Sequence, residues 1–383
     1  MKTILKHLPL SLLVMTAMAA CGPVNPPDPQ PNEPHDTTPK PQPEDTTLFA
    51  CDGLCTPNAS PEAQKLYEFL RRQYGRKVIS GAMAYVNWNT NEAQWVSYHT
   101  GHTPALTCFD LIQATLSDEW AKDTYSSYAV YEDWWAKNGI IAGMWHHMVP
   151  REEATETTSG NSTYKPTETT FVSANALVPG TWENAIYTRD IDRAAELLKG
   201  FRDRNIPILW RPYHEASGGW FWWGTDAAAE KAMWLYMWDR FVNHHGLNNL
   251  IWVWTTQGYD SEWYPGDQYV DMIARDIYSK TEGSSFGKYF VYDKGQHPNK
   301  MLALAECGRN NKNLATINEQ WEAGAKWSYF MPWYDGKRTA NATPNSINFT
   351  DTVKRHEQAD IPWWREAWAQ EYVLSREDMP SLK

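Results

Sequence analysis

The sequence predicts an α/β fold, a single (β/α)8 barrel, on three observations. Eight short runs rich in β-branched and aromatic residues come in order along the chain, with helix-length stretches between them. No Gly-x-Gly-x-x-Gly follows the first run, which argues against a doubly wound nucleotide-binding sheet. Polar side chains gather at the C-terminal ends of the runs, where a TIM barrel opens to solvent and carries its reacting groups, while the starts are mostly apolar, as barrel filling requires.

Taken in order, the candidate strands are KVISGAMAY from Lys77, TPALTCFDL from Thr103, GIIAGMWHH from Gly139, PILWRPYHE from Pro207, LIWVWTTQ from Leu250, MIARDIYS from Met272, MLALAECG from Met301 and WSYFMPWYD from Trp327. Helices are expected over 60–74, with Pro61 in the first turn, over 189–204 and over 227–244. About forty residues rich in Thr, Ser and Glu separate His147 from the second of these helices. A stretch of that length on the catalytic side is either an active-site wall or a mobile surface flap.

The N-terminus carries Lys2 and Lys6 and then an apolar stretch from Leu8 to Ala20, too short for a membrane span but suited to a secretory signal. Residues 21–50 hold nine of the 24 prolines and little that could be buried, so they read as a disordered tether. Residues 51–383 are then one catalytic-size domain. Met18-Ala19-Ala20-Cys21-Gly22 resembles the lipobox at which bacterial lipoproteins are cleaved and acylated. That resemblance implies a lipid on Cys21 and an outer-membrane-anchored protein facing the periplasm or the outside; an ordinary signal peptide is the alternative.

A formal net charge of −11 and the lack of any basic run argue against nucleic acid. The composition includes 22 Trp, several in polar settings such as Gly218-Gly219-Trp220-Phe221-Trp222-Trp223, and exposed indole faces suit sugar rings. Cys51 and Cys55 are spaced so that a disulfide would staple the start of the domain, whereas Cys108 and Cys307 read as buried thiols. His146-His147 and His244-His245 raise a metal reading. Neighbouring side chains on a strand point to opposite faces, and a histidine pair at a helix end suits the helix dipole, so no metal and no cofactor is expected.

The strand ends bring Asp110, His146 and His147, His214 and Glu215, Asp276 and Tyr278, Glu306, and Trp333 with Asp335 to one face. Hydrolysing a glycosidic bond needs one carboxylic acid to protonate the leaving oxygen and one carboxylate to attack or stabilise the anomeric carbon. Glu215 and Glu306 end the fourth and seventh runs and face each other across a barrel mouth. Glu215, among Trp210, Tyr213, Trp220 and Trp222, is expected to keep its proton in a poorly solvating setting and act as acid/base. Glu306 is then the nucleophile, held as an anion by Arg211 with a hydrogen bond from the Tyr278 hydroxyl.

Trp210-Arg211-Pro212-Tyr213-His214-Glu215, followed by Gly219-Trp220-Phe221-Trp222-Trp223-Gly224, resembles the acid/base signature of glycoside hydrolase family 26. Arg275-Asp276-Ile277-Tyr278 and Ala305-Glu306 extend the resemblance, which runs from about Ser60 to Asp335. The resemblance implies a retaining, cofactor-free hydrolase, mostly of β-mannan or manno-oligosaccharide, with the catalytic pair at the ends of strands four and seven. It also implies that His146 and His214 contact the sugar beside the cleaved bond, with Trp333 as its floor and Trp220 across the cleavage point. Asp276 would support the histidines and Tyr278 the nucleophile. His147 departs from the family pattern. Relatives acting on β-glucan or β-xylan share the pair, so those polymers stay open as substrates, as does endo or mannobiose-releasing exo action. A lipid-anchored glycan-binding protein without catalysis is the alternative of another class. A monomer is expected.

Overall fold

Eight strands, β1 Val78–Met83, β2 Leu106–Asp110, β3 Ile140–Trp145, β4 Ile208–Pro212, β5 Leu250–Thr256, β6 Met272–Tyr278, β7 Met301–Gly308 and β8 Tyr329–Pro332, pair in sequence order. The computed structural model describes residues 51–383 apart from 87, 310–312, 337–346 and 351–354. The expected signal segment, the tether and Cys21 lie outside the described residues. Every strand neighbour is parallel, and β1 closes the ring on β8 through Ile79 opposite Tyr329 and Ser80 opposite Phe330. Each strand falls within its expected run. Their residues are buried almost throughout because side chains fill the barrel on one face and helices cover the other.

The register of β7 breaks once. Arg275 pairs with Leu304 but Asp276 pairs with Glu306, and on the other side Phe330 pairs with Leu304 while Pro332 pairs with Cys307. An extra residue therefore enters β7 at Ala305 relative to both neighbours. Such a bulge re-aims the next side chain, and here that side chain is Glu306.

The outer layer comprises α1 Pro61–Gln73, α2 Asn91–Thr100, α3 Ala129–Ala136, α4 Trp182–Arg202, α5 Ala227–Asp239, α6 Gly283–Gln296, α7 Ile317–Glu322 and α8 Ile361–Trp368, with shorter turns between. Ser60 caps α1 by accepting the Ala63 N–H at 3.2 Å. The helix expected over 189–204 begins earlier, at Trp182, because Thr181 caps it by accepting the Asn184 N–H at 3.1 Å. Ile186 and Tyr187 in its added turns are buried. The helix expected over 227–244 is α-helical to Asp239 and ends in a π turn, Arg240–His244.

The crossover from β5 to β6 contains only a 3-10 turn, Asp267–Tyr269, where the barrel pattern calls for a helix. The N-terminal α1 takes up that part of the outer layer. It packs on β5, the Ser60 N–H donates to the Asn248 carbonyl at 2.7 Å, and the Tyr74 ring lies 6.5 Å from Phe290 of α6. No disulfide staples the segment before α1: Cys51 and Cys55, whose spacing left that open, are free thiols. Hydrogen bonds pin it instead. The Tyr67 hydroxyl donates to the Asp52 carbonyl at 2.6 Å, and the buried Asp271 accepts the Cys55 N–H.

The long connection after β3 is a wall rather than a flap. Val149–Pro150 pairs with Ser162–Thr163, Phe171 lies 4.7 Å from the Trp222 ring, and the Trp222 N–H donates to the Tyr164 carbonyl at 2.9 Å. Among the described residues no helix is long and apolar enough to cross a membrane.

Candidate active site

β4 places Arg211 inside the barrel and then turns sharply. Tyr213 and Glu215 both adopt left-handed backbone, with φ of 46° and 53°. For residues other than glycine this costs about 1–3 kcal/mol each, so surrounding bonds must hold it. They do so from several sides. The Tyr213 hydroxyl pairs with that of Tyr187 at 2.6 Å, the Trp223 indole N–H donates to the His214 carbonyl at 3.0 Å, and the Gly218 N–H donates to the Glu215 carbonyl at 3.0 Å. A Cβ on Gly224 would lie 2.2 Å from the Ala216 carbonyl oxygen, which explains why the aromatic run ends in glycine.

That run divides its work. Trp220 alone stays half-exposed and donates its indole N–H to Glu215 Oε2 at 2.8 Å. Phe221 is buried 4.9 Å from the His214 ring and 5.4 Å from that of His146. Trp222 and Trp223 are fully buried, and Trp222 donates to the His147 carbonyl at 2.7 Å. Trp210, also expected beside Glu215, packs outward at 6.2 Å from Phe241. Strand alternation sends it to the helical layer, away from the two-residue turn that lifts Glu215 into the cleft.

Across the mouth, Glu306 accepts from Arg211 Nη2 and, at 2.8 Å, from the Tyr278 hydroxyl. Arg211 Nη1 also donates to Asp276 Oδ2 at 2.9 Å and to Thr255 Oγ1 at 3.1 Å. Arg211, Asp276 and Glu306 are 3%, 4% and 5% exposed, so this charge cluster is shielded from water. Glu215, Asp276 and Glu306 each bring an oxygen within 4.8 Å of the others. Three carboxyls so close could attract a cation, but the Arg211 guanidinium already fills the space between two of them.

One guanidinium cannot balance three carboxylates in a buried site. Burial pushes Glu215 well above the usual carboxylate range, and the neighbouring Asp276 and Glu306 charges push it further. Burial likewise pushes Asp276 up to about 7, opposed by Arg211. Glu215 therefore keeps a proton near neutrality, while the Arg211 and Tyr278 donors are aimed at the Glu306 oxygens.

His146 lies on the floor. Its Nδ1 pairs with Asp110 Oδ2 at 2.6 Å and its N–H donates to Asp110 Oδ1 at 2.9 Å. The His214 ring is 4.5 Å from that of His146, and the Trp333 ring is 6.0 Å from His146. Burial, with the His146 and Arg211 charges behind it, holds His214 well below the ordinary histidine value, so it is a neutral imidazole.

Sequence reasoning misplaced one support. Asp276 binds Arg211 and not the histidines; Asp110, on the strand next to that of His146, is the carboxylate that orients the imidazole. The strand-end position of Asp110 was visible in the sequence, but its partner was not. Tyr164, whose ring is 5.4 Å from His146, carried no signal, because its place depends on the path of the wall. His147 points away from the cleft, stacked 3.9 Å from Trp145 with Nε2 at 3.1 Å from Asp190 Oδ2. Asp335 secures the chain after β8, its N–H donating to Glu92 Oε1 at 2.7 Å and its carboxylate accepting the Glu357 N–H at 2.9 Å. His245 pairs with Asp192 at 2.7 Å on the outer helices.

Comparison with known proteins identifies the family. Residues 55–353 match the model of glycosyl hydrolase family 26. The mannan endo-1,4-β-mannosidase of Thermothelomyces thermophilus is 38% identical over 308 residues, 78% of this chain and 60% of that protein. Mannan endo-1,4-β-mannosidase B of a Piromyces species is 33% identical over 76% of this chain and 50% of its own length. The chain thus spans half to three fifths of these two curated relatives. Among solved structures, the family 26 domain of an endo-β-mannanase/endo-β-glucanase from Prevotella bryantii superposes with a TM-score of 0.76 at 34% identity, covering 85% of this chain and 99% of that one. A β-mannanase from a symbiotic protist of the termite Reticulitermes speratus, solved with a gluco-manno-oligosaccharide, gives 0.71 at 31% identity, covering 87% and 99%.

Proposed function

The chain belongs to glycosyl hydrolase family 26, and from that premise we propose that it is a retaining, endo-acting β-1,4-mannan hydrolase. The observation that carries this reading is the carboxyl pair. One oxygen of Glu215 and one of Glu306 lie within 4.8 Å, which fits the roughly 5–5.5 Å carboxyl separation that suits direct attack by one carboxylate.

In the first step Glu306 attacks the anomeric carbon as the glycosidic C–O bond breaks, and Glu215 passes its proton to the leaving oxygen. Arg211 and Tyr278 orient the attacking carboxylate, and Trp220 fixes the acid. Once Glu306 is esterified its charge is gone, and so is one of the charges that raised Glu215. Glu215 then accepts a proton from water, which attacks the anomeric carbon and frees Glu306. His146, His214 and Trp333 form a surface for the sugar beside the cleaved bond.

The names of the relatives support mannan and internal cleavage. The N-terminal sequence supports secretion and attachment to the outer membrane through Cys21, facing the periplasm or the outside. The test is the product profile of residues 50–383 on unsubstituted mannan, glucomannan, xylan and mixed-linkage glucan, beside Glu306→Ala. Mixed manno-oligomers absent from the variant's reaction are expected. Release of mannobiose alone would replace endo with exo action, release only from glucan or xylan would replace the substrate, and binding without release would leave a lectin-like protein.

A further inference from the structure

We propose a second carbohydrate site, on the flank of the barrel between α2 and α3, that holds a neutral β-linked oligosaccharide segment. A cavity of about 340 Å³ opens there, lined among others by Gln94, Tyr98, Asp133, Trp134, Phe349 and Arg376. It sits in the helical layer, outside the ring of strands that carries the carboxyl pair. Its volume falls at the small end of the roughly 300–1,000 Å³ of ligand pockets, room for about two sugar rings.

Three features of the lining point to a sugar. Tyr98 is 54% exposed, which is unusual for so large a ring, yet it is not loose. It stands edge-on against Phe349 at 5.9 Å and His99 at 5.0 Å, so a flat aromatic surface is presented with little conformational freedom left to lose. The Arg376 guanidinium carbon lies over the Trp134 ring, 4.4 Å from its centre, and its side-chain N–H groups find no acceptor among the described residues. A guanidinium held over a ring with donors to spare is suited to adjacent hydroxyls. Gln94, also in the lining, is held in place by donating its amide N–H to Thr90 Oγ1 at 2.6 Å.

The charges around the cavity balance. Lys137 pairs with Asp133 at 2.8 Å, and Glu377, which accepts the Thr103 N–H at 3.0 Å, lies close enough to Arg376 to offset its charge. Two cations against two carboxylates leave no net attraction for an anion. An aromatic face, uncommitted donors and a neutral rim together match a neutral glycan better than an acidic one. Such a site would hold a polymer to the enzyme while the cleft works elsewhere along it.

The test is equilibrium binding of mannohexaose to full-length protein carrying Glu306→Gln, with and without Tyr98→Ala; mannohexaose as probe rests on the substrate proposed above. Two classes of site are expected in the first protein, the weaker falling about tenfold or more in the second while the tighter is unchanged. Arg376→Lys, which keeps the charge but not the planar fork, is expected to weaken the same class. A single class in the first protein overturns the proposal, and so does a weaker class that survives Tyr98→Ala. Tighter binding of polygalacturonate than of mannohexaose at this class overturns the neutral assignment. Wild-type protein that leaves mannohexaose uncut while retaining the Tyr98-dependent class would count against the proposed hydrolysis and not against the flank site.

Discussion

Asp276 faces Glu306 directly across the β6–β7 ladder, one residue out of the register that holds for Arg275 and Leu304. The displaced register brings two carboxyls to one guanidinium, since Arg211 donates to both. Asp276 thereby acts on Glu215, the proposed acid/base, as well, because its charge is the largest influence after burial in raising Glu215.

Asp276→Asn should therefore narrow the pH range of activity from the alkaline side. Removing a negative neighbour makes the proton of Glu215 easier to lose, so the acid form disappears at a lower pH than in the wild type. The measurement is kcat/KM against pH, where the descending limb is expected to move toward acid. A limb that stays in place would mean that Asp276 does not reach Glu215 electrostatically.

The adjacent histidines should separate into two kinds of defect. His146, oriented by Asp110 at the cleft floor, is expected to lower kcat/KM when changed to Ala with little effect on unfolding. His147, buried between Trp145 and Asp190, should do the reverse: His147→Ala empties a stacked core position and should cost about 2–4 kcal/mol of stability. Urea unfolding beside steady-state kinetics on both variants checks the pair.

These two histidines also show how far the sequence could be read. The period of two along β3 says only that His146 and His147 face opposite ways; the family resemblance is what assigned His146 to the cleft. The eight strands were legible because each is a continuous apolar run buried on both faces. Glu215 and Glu306 were legible because they lie at or near the ends of two of those runs and within the motifs that carry the family resemblance. The partner of His146 was not, since Asp110 lies 36 residues away and meets it only through the β2–β3 pairing. Nor was the loss of the crossover helix after β5, which depends on α1 packing there from the other end of the domain. The roles of Trp222 and Trp223 as buttresses were hidden by composition, which does not distinguish a buried indole from an exposed one.

Asp271, at the base of β6, should make the fold less stable as pH rises through the mildly acidic range. Burial raises its pKa to about 6, above the ordinary carboxylate value of about 3.9. The folded state therefore binds this proton more tightly than the unfolded chain does. Its contribution is full below the unfolded value and is lost as pH climbs through 6. The carboxylate accepts the Cys55 and Trp252 N–H groups through separate oxygens; Asp271→Asn keeps one of these acceptors and cannot ionise. The difference in Tm between pH 4 and pH 7.5 is expected to shrink in the variant; an unchanged difference would exclude Asp271 as its source.

The division of labour between Glu215 and Glu306 gives the sharpest chemical test. Glu215→Gln removes the proton donor and the later base but leaves the nucleophile with both of its donors, Arg211 and Tyr278. Turnover of mannan should fall by about 10²–10⁴, since a poor leaving group needs the acid. An aryl β-mannoside with an activated leaving group needs no proton, so its bond should still break and the glycosyl-enzyme should accumulate. Azide can then attack without base assistance. The expected product is the β-mannosyl azide, of the same configuration as the substrate, because two displacements at one carbon restore it. Glu306→Ala in the same assay should give no β-azide, as it has no carboxylate to form the intermediate. An α-azide from Glu215→Gln, or no rescue with either configuration, would remove Glu215 from the acid/base role even though it stands within 4.8 Å of Glu306.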